Sequence, residues 1–170
     1  MKNLTGFAAA AILFFASGTA GALDPPPMKE GLWSIHNQGV NNPGGKKAEN
    51  TSTICRSHAY DQHVLQDAKS VKGCTTLSET LQGSEYSIHS HCVAAGTEID
   101  SKSTVTFKGE TAAHSESHAT YTPALSGITE TTVIQDQKYV GSCPAGVQPG
   151  DITQPDGKVV HTWKQGADRR

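Results

Sequence analysis

The stretch Glu85–Lys108, EYSIHSHCVAAGTEIDSKSTVTFK, decides the fold. Two β-prone runs flank the turn-like pair Ala95-Gly96, and their residues alternate between two faces with a period of two. With the turn at Ala95-Gly96, Cys92 faces Ile99, Ile88 faces Ser103 and Tyr86 faces Val105. His89 and His91 then fall on the opposite face, against Lys102 and Asp100. A three-residue turn at Gly109-Glu110-Thr111 adds the next run, setting Tyr121 beside Ile99 and His118 beside Lys102. Apolar residues and histidines separate onto different faces, as a sheet wet on one side requires. The inner face also carries Ser101, Ser103, Ser115 and Ser117, which need hydrogen bonds, cover or a ligand.

Working outward, a meander of strands is expected over Cys74–Gln82, Glu85–Ala94, Thr97–Lys108, Ala112–Thr122 and Ile128–Tyr139. Short turn-like connections separate them, which favours antiparallel pairing. Upstream, Ser57 reads as the N-cap of one short helix, with Asp61 in its first turn and Tyr60, Val64, Ala68 and Val71 near helical spacing. Gly31 to His36 reads as a first strand, Asn41 to Lys47 as a loop, and Thr51 to Cys55 as a short β-prone run. From Gly141 onward the pattern dissolves into Gly, Pro and Asp. The expected architecture is mainly β: a curled, barrel-like but open antiparallel meander with one short helix. Residues 23–152 form the domain and residues 153–170 a loosely ordered tail.

The first 22 residues predict export. Lys2 supplies a positive charge, Leu4 to Phe15 form an apolar run of about a dozen residues, and Ala20-Gly21-Ala22 offers small residues for cleavage after Ala22. The run is well short of the ~20 residues that span a bilayer, so a secretory signal peptide, a periplasmic location and no stable membrane insertion are expected. Removing residues 1–22 of 170 takes away only Lys2 among the charged residues. That leaves 13 basic against 16 acidic, net −3. No basic run or aromatic-basic interleaving remains, which argues against a nucleic-acid partner.

Large apolar residues are few, and a thin interior in an oxidising compartment is where disulfides are used. Cys55, Cys74, Cys92 and Cys143 argue for two bridges. Cys74 and Cys92 fall nearly opposite each other in a hairpin turning at Gly83, leaving Cys55 with Cys143. Their spacings of 19, 18 and 51 residues fit no zinc finger.

Several local patterns resemble a known family. They are Lys29-Glu30-Gly31-Leu32-Trp33, a Cys opening a helical stretch at Cys55, a central Cys pair, and Tyr139-Val140-Gly141-Ser142-Cys143-Pro144. Pro149-Gly150-Asp151 and Pro155-Asp156-Gly157 continue the pattern. In order and spacing they resemble the small exported bacterial proteins classed as domain of unknown function family 3617. The resemblance implies an envelope location and a β-rich domain with paired cysteines, and it carries over no catalytic residue.

Candidate chemistry centres on histidine and on the inner face. His89, His91, His114 and His118 supply imidazoles on neighbouring strands, enough for a zinc or copper site with Asp100 or Glu116. Lys102 in their midst disfavours a bound cation. Trp33 and Tyr86, with Ser103 and Ser117, are candidates to line a ligand pocket inside a curled sheet; the alternative for the two aromatics, favoured because so few large side chains are available to fill the interior, is ordinary core. No nucleophile elbow, paired-carboxylate motif or phosphate-cradling glycine loop is present, so no cofactor is expected and a hydrolase is a distant alternative. The sequence therefore points to a non-enzymatic binding or interaction module, whose partner is a small amphiphile or another envelope protein. Periplasmic metal binding is the alternative.

Overall fold

Period-two alternation and glycine-bearing turns carry the chain through nine strands. In the computed structural model, which describes residues 23–163, these are β1 (Gly31–Asn42), β2 (Lys46–Arg56), β3 (Cys74–Gln82), β4 (Glu85–Ala94), β5 (Thr97–Phe107), β6 (Ala112–Leu125), β7 (Ile128–Gly141), β8 (Asp151–Thr153) and β9 (Val159–His161). The expected signal peptide lies outside the described residues. One helix, α1 (His58–Lys69), follows β2. All strands join one antiparallel sheet in the order β3-β4-β5-β6-β7-β1-β2-β8-β9, with β3 and β9 at its open edges.

The decisive hairpin has the expected register: Tyr86 pairs with Val105, Ile88 with Ser103 and Cys92 with Ile99. Across the next turn Ile99 pairs with Tyr121 and Lys102 with His118. Cys74 stands directly opposite Cys92 and is bonded to it, and Cys55 is bonded to Cys143. Among the described residues no cysteine is free.

The sheet curls. Val105 and Phe107 of β5 pack in one cluster with Trp33 of β1 and Ile54 of β2. Yet β5 and β2 lie four strand steps apart, about 19 Å along a flat sheet. Met28, from the proline-rich lead-in, and Tyr60, from α1, complete this interior. Trp33 is its centre at 0% exposure, donating its indole N–H to the Lys29 carbonyl at 2.9 Å and meeting the edge of Tyr139 at a 6.0 Å ring separation. Beside it, β1 and β7 approach so closely that a Cβ at Gly31, whose φ is +138, would collide with the Gly141 carbonyl.

Helix α1 leads from β2 to β3 across the curled face. Ser57 caps it by accepting from the Tyr60 N–H, yet no residue of the helix is buried. Ion pairs fasten it at both ends, Arg56–Asp61 at 2.9 Å at its start and Lys69–Glu79 at 2.9 Å at its end. These end contacts add to the packing of Tyr60 against the interior, since the helix has no fully buried residue of its own.

Three sequence expectations need correction. The region read as a loop, Asn41 to Lys47, is mostly strand, because β1 and β2 pair along their whole length and only residues 43–45 turn. β6 runs on to Leu125 rather than ending at Thr122. Ordered structure also passes the boundary drawn at 152. β8 straddles it, β8 pairs with β9, and Trp163 packs against the rings of Tyr60 and His63. Gly150 makes this possible, since its φ of +90 lets the backbone pass against Trp163 and Tyr60.

Candidate functional site on the inner face

Strand alternation grades the inner face into three zones. Nearest the start of β1 is the packed interior around Trp33. Next comes a polar band, in which Asn37 of β1 and Gln135 and Gln137 of β7 stand beside Ser115 and Ser117 of β6 and Ser103 of β5. Val133 and Ile88 flank Ser117 and Ser103 in one cross-strand row of this band, and Tyr121 and Ile99 lie further along the same face, past Ala119 and Ser101; all four are half-buried.

The polar band is tied together by a run of side-chain hydrogen bonds. Arg56 donates from Nη1 to Gln137 Oε1 at 2.8 Å, and Gln137 donates to Gln135 Oε1. Gln135 donates from Nε2 to Asn37 Oδ1 at 2.7 Å, and Asn37 from Nδ2 to Asn50 Oδ1 at 3.0 Å. Arg56 is anchored at the head of this run. Its Nε donates to Asp61 Oδ1 at 2.9 Å and its guanidinium lies 4.9 Å from the centre of the Trp33 ring.

The four residues expected to line a pocket divide between zones. Trp33, at 0% exposure, centres the packed interior, and Tyr86, at 6%, is buried on β4 opposite Val105. Burial raises the Tyr86 hydroxyl above its ordinary pKa, and so does its hydrogen bond to Glu79, with a 2.7 Å separation. Ser103 and Ser117 face each other across β5 and β6 in the polar band and are half-buried. The histidines of these strands project from the other face, so the pairing does not assemble a serine–histidine couple.

On that outer face the expected histidines meet carboxylates. His89 contacts Asp100 at 2.7 Å, His118 contacts Glu130 at 2.9 Å, and His114 contacts Asp136 at 2.8 Å and Glu116 at 3.2 Å. The hydrogen bond from His89 holds Asp100 below its ordinary pKa, and the bonds to Asp136 and then Glu116 raise His114. His91 pairs across the strands with Asp100, and Lys102 stands between His89 and His118. Among the described residues no group of three or more His, Cys, Asp or Glu side chains is placed to hold a metal ion. An open groove of ≈ 510 Å³ crosses this face, with Lys102, Glu85, Glu116, His114 and His118 in its walls. Its charges are of both signs.

The family model described as "Protein of unknown function (DUF3617)" matches residues 28–143. The chain belongs to the DUF3617 family. The matched region spans β1 to the second cysteine of the long-range bridge, so it contains β1 to β7 of this DUF3617 domain and with them the polar band. No curated protein matches in sequence. Among solved structures, the S-type phycobiliprotein lyase CPES from Guillardia theta is similar at 11% identity, covering 66% of this chain and 89% of its own, with a TM-score of 0.36.

Sequence reading missed the amide run. Gln135 and Gln137 share a face by alternation, which is legible. Their meeting with Asn37 needs the pairing of β1 with β7, across 98 residues of chain.

Proposed function

We propose that this DUF3617 protein is an exported, non-catalytic binding module that takes a small amphiphile on the inner face of its curled sheet. One observation carries the reading. A band of carboxamides and serine hydroxyls lies beside Ile88, Ile99, Tyr121 and Val133, and these side chains are half-buried rather than packed away. Small residues such as Ser103, Ser117 and Gly39 floor this region. Pockets for small molecules combine apolar walls with a few converging polar groups, and the two zones supply both. The periplasm is the compartment that fits, given the leader-like first 22 residues and two disulfides in a chain with few large apolar side chains. No helix among the described residues is long and apolar enough to cross a membrane.

Native mass spectrometry of the protein extracted gently from its own compartment tests this reading. A bound small molecule of constant mass, released by organic solvent and taken up again by the stripped protein, is the expected result. A bare protein that takes up no single-chain amphiphile contradicts it.

A further inference from the structure

The amide run has a fixed direction, and the direction identifies what it recognises. Arginine has only donors, so the atom of Gln137 that meets Arg56 is its carbonyl oxygen, leaving its NH2 to point onward. The same constraint passes to Gln135, then Asn37, then Asn50, each accepting at oxygen and giving its nitrogen to the next. Each carboxamide NH2 has two hydrogens, and the run uses one of them on each of Gln137, Gln135 and Asn37. The band keeps the second hydrogens and the whole NH2 of Asn50 as donors, and one further lone pair on each of the four carboxamide oxygens as acceptors, so it both donates and accepts.

Its charge is balanced. Asp61 pairs with Arg56, and Glu79 with Lys69. From this we infer that the inner face recognises an uncharged acyl head group, an ester or amide whose carbonyl oxygen accepts from Gln135 and Asn37 while its chain runs over Val133 toward Ile88. The inference rests on the amphiphile reading above and adds to it the chemistry of the head group. A quaternary ammonium head neither donates nor accepts and would leave these groups desolvated and unpaired, which is costly.

The test compares two ten-carbon probes, glycerol monodecanoate and decyltrimethylammonium, below their micellar concentrations, by titration calorimetry on the disulfide-bonded protein. The ester is expected to bind at least about tenfold more tightly than the ammonium. Gln135→Glu keeps the shape and the acceptor for Gln137 but removes the donor, and is expected to weaken the ester about tenfold while leaving the ammonium unchanged or improved. Equal affinities for the two probes on the unaltered protein overturn the inference and leave the amphiphile reading standing. So does a folded Gln135→Glu variant that binds the ester undiminished. Binding of neither probe overturns both. The wild-type comparison decides the matter even where the variant does not fold.

Discussion

Lys69, in the last turn of α1, stands 2.9 Å from Glu79 on the edge strand β3, and the same carboxylate oxygen accepts from the Tyr86 hydroxyl at 2.7 Å. The Lys69 hydrogen bond first, and the Tyr86 bond second, hold Glu79 below the ordinary carboxylate range. The far end of a helix with no buried residue is thus fastened to the edge of the sheet through one carboxylate.

Glu79→Leu leaves the buried Tyr86 hydroxyl without its charged acceptor and releases the end of α1. A loss of about 2 kcal/mol is expected in denaturant unfolding. Amide exchange should accelerate in α1 and not in β6 or β7. An unchanged unfolding midpoint would show that the strap is held elsewhere.

The two bridges should differ in weight. The chain-entropy relation gives about 3 kcal/mol for a bridge closing 18 residues and about 4.5 kcal/mol for one closing 88. Paired alanine replacement of Cys55 and Cys143 is therefore expected to lower stability more than replacement of Cys74 and Cys92. Unfolding curves of the two double variants measure the order directly.

Trp33→Ala removes the centre of the only sizeable apolar cluster among the described residues. It also leaves Arg56 without the ring beneath it. A loss of about 3–5 kcal/mol is expected, enough to unfold a domain of ordinary stability at moderate temperature. Circular dichroism melts compare this variant with Trp33→Phe, which keeps most of the volume and should lose less.

His114 is bonded to Asp136 and Glu116, and both bonds raise its pKa. A histidine raised in the folded state contributes stability that is fully present below its unfolded value near 6.5, and loses it as pH rises through the folded value. Nuclear magnetic resonance titration of the His114 ring should give a midpoint above that value, moving down in Asp136→Asn. Identical midpoints in the two proteins would remove the pair from the account.

Side-chain alternation made the centre of the fold readable. From Tyr86 to Tyr121 each strand puts apolar residues on one face and histidines on the other, so any one-residue slip would have buried charge. The Cys74–Cys92 bridge followed from the same register. The β1–β2 hairpin was not readable beyond its apolar start. Asn37 to Glu49 carries almost no hydrophobic alternation, and its strand character comes from pairing with β7, far away in sequence. For the same reason the shared face of Ser103 and Ser117 was legible while the meeting of Asn37 and Gln135 was not. Whether Trp33 and Tyr86 were pocket wall or core was open in the sequence, which shows aromatic side chains but not what covers them; both are buried, Trp33 in the cluster with Met28.

The account stands on the inner face being the binding surface. Side-chain amide and backbone chemical shifts, followed while glycerol monodecanoate is titrated in, test that most directly. The expected result is saturable movement at Asn37, Gln135, Ser103 and Ser117, with His114 and His118 still. Movement confined to the outer-face groove, or none at any concentration below the micellar limit, would contradict it.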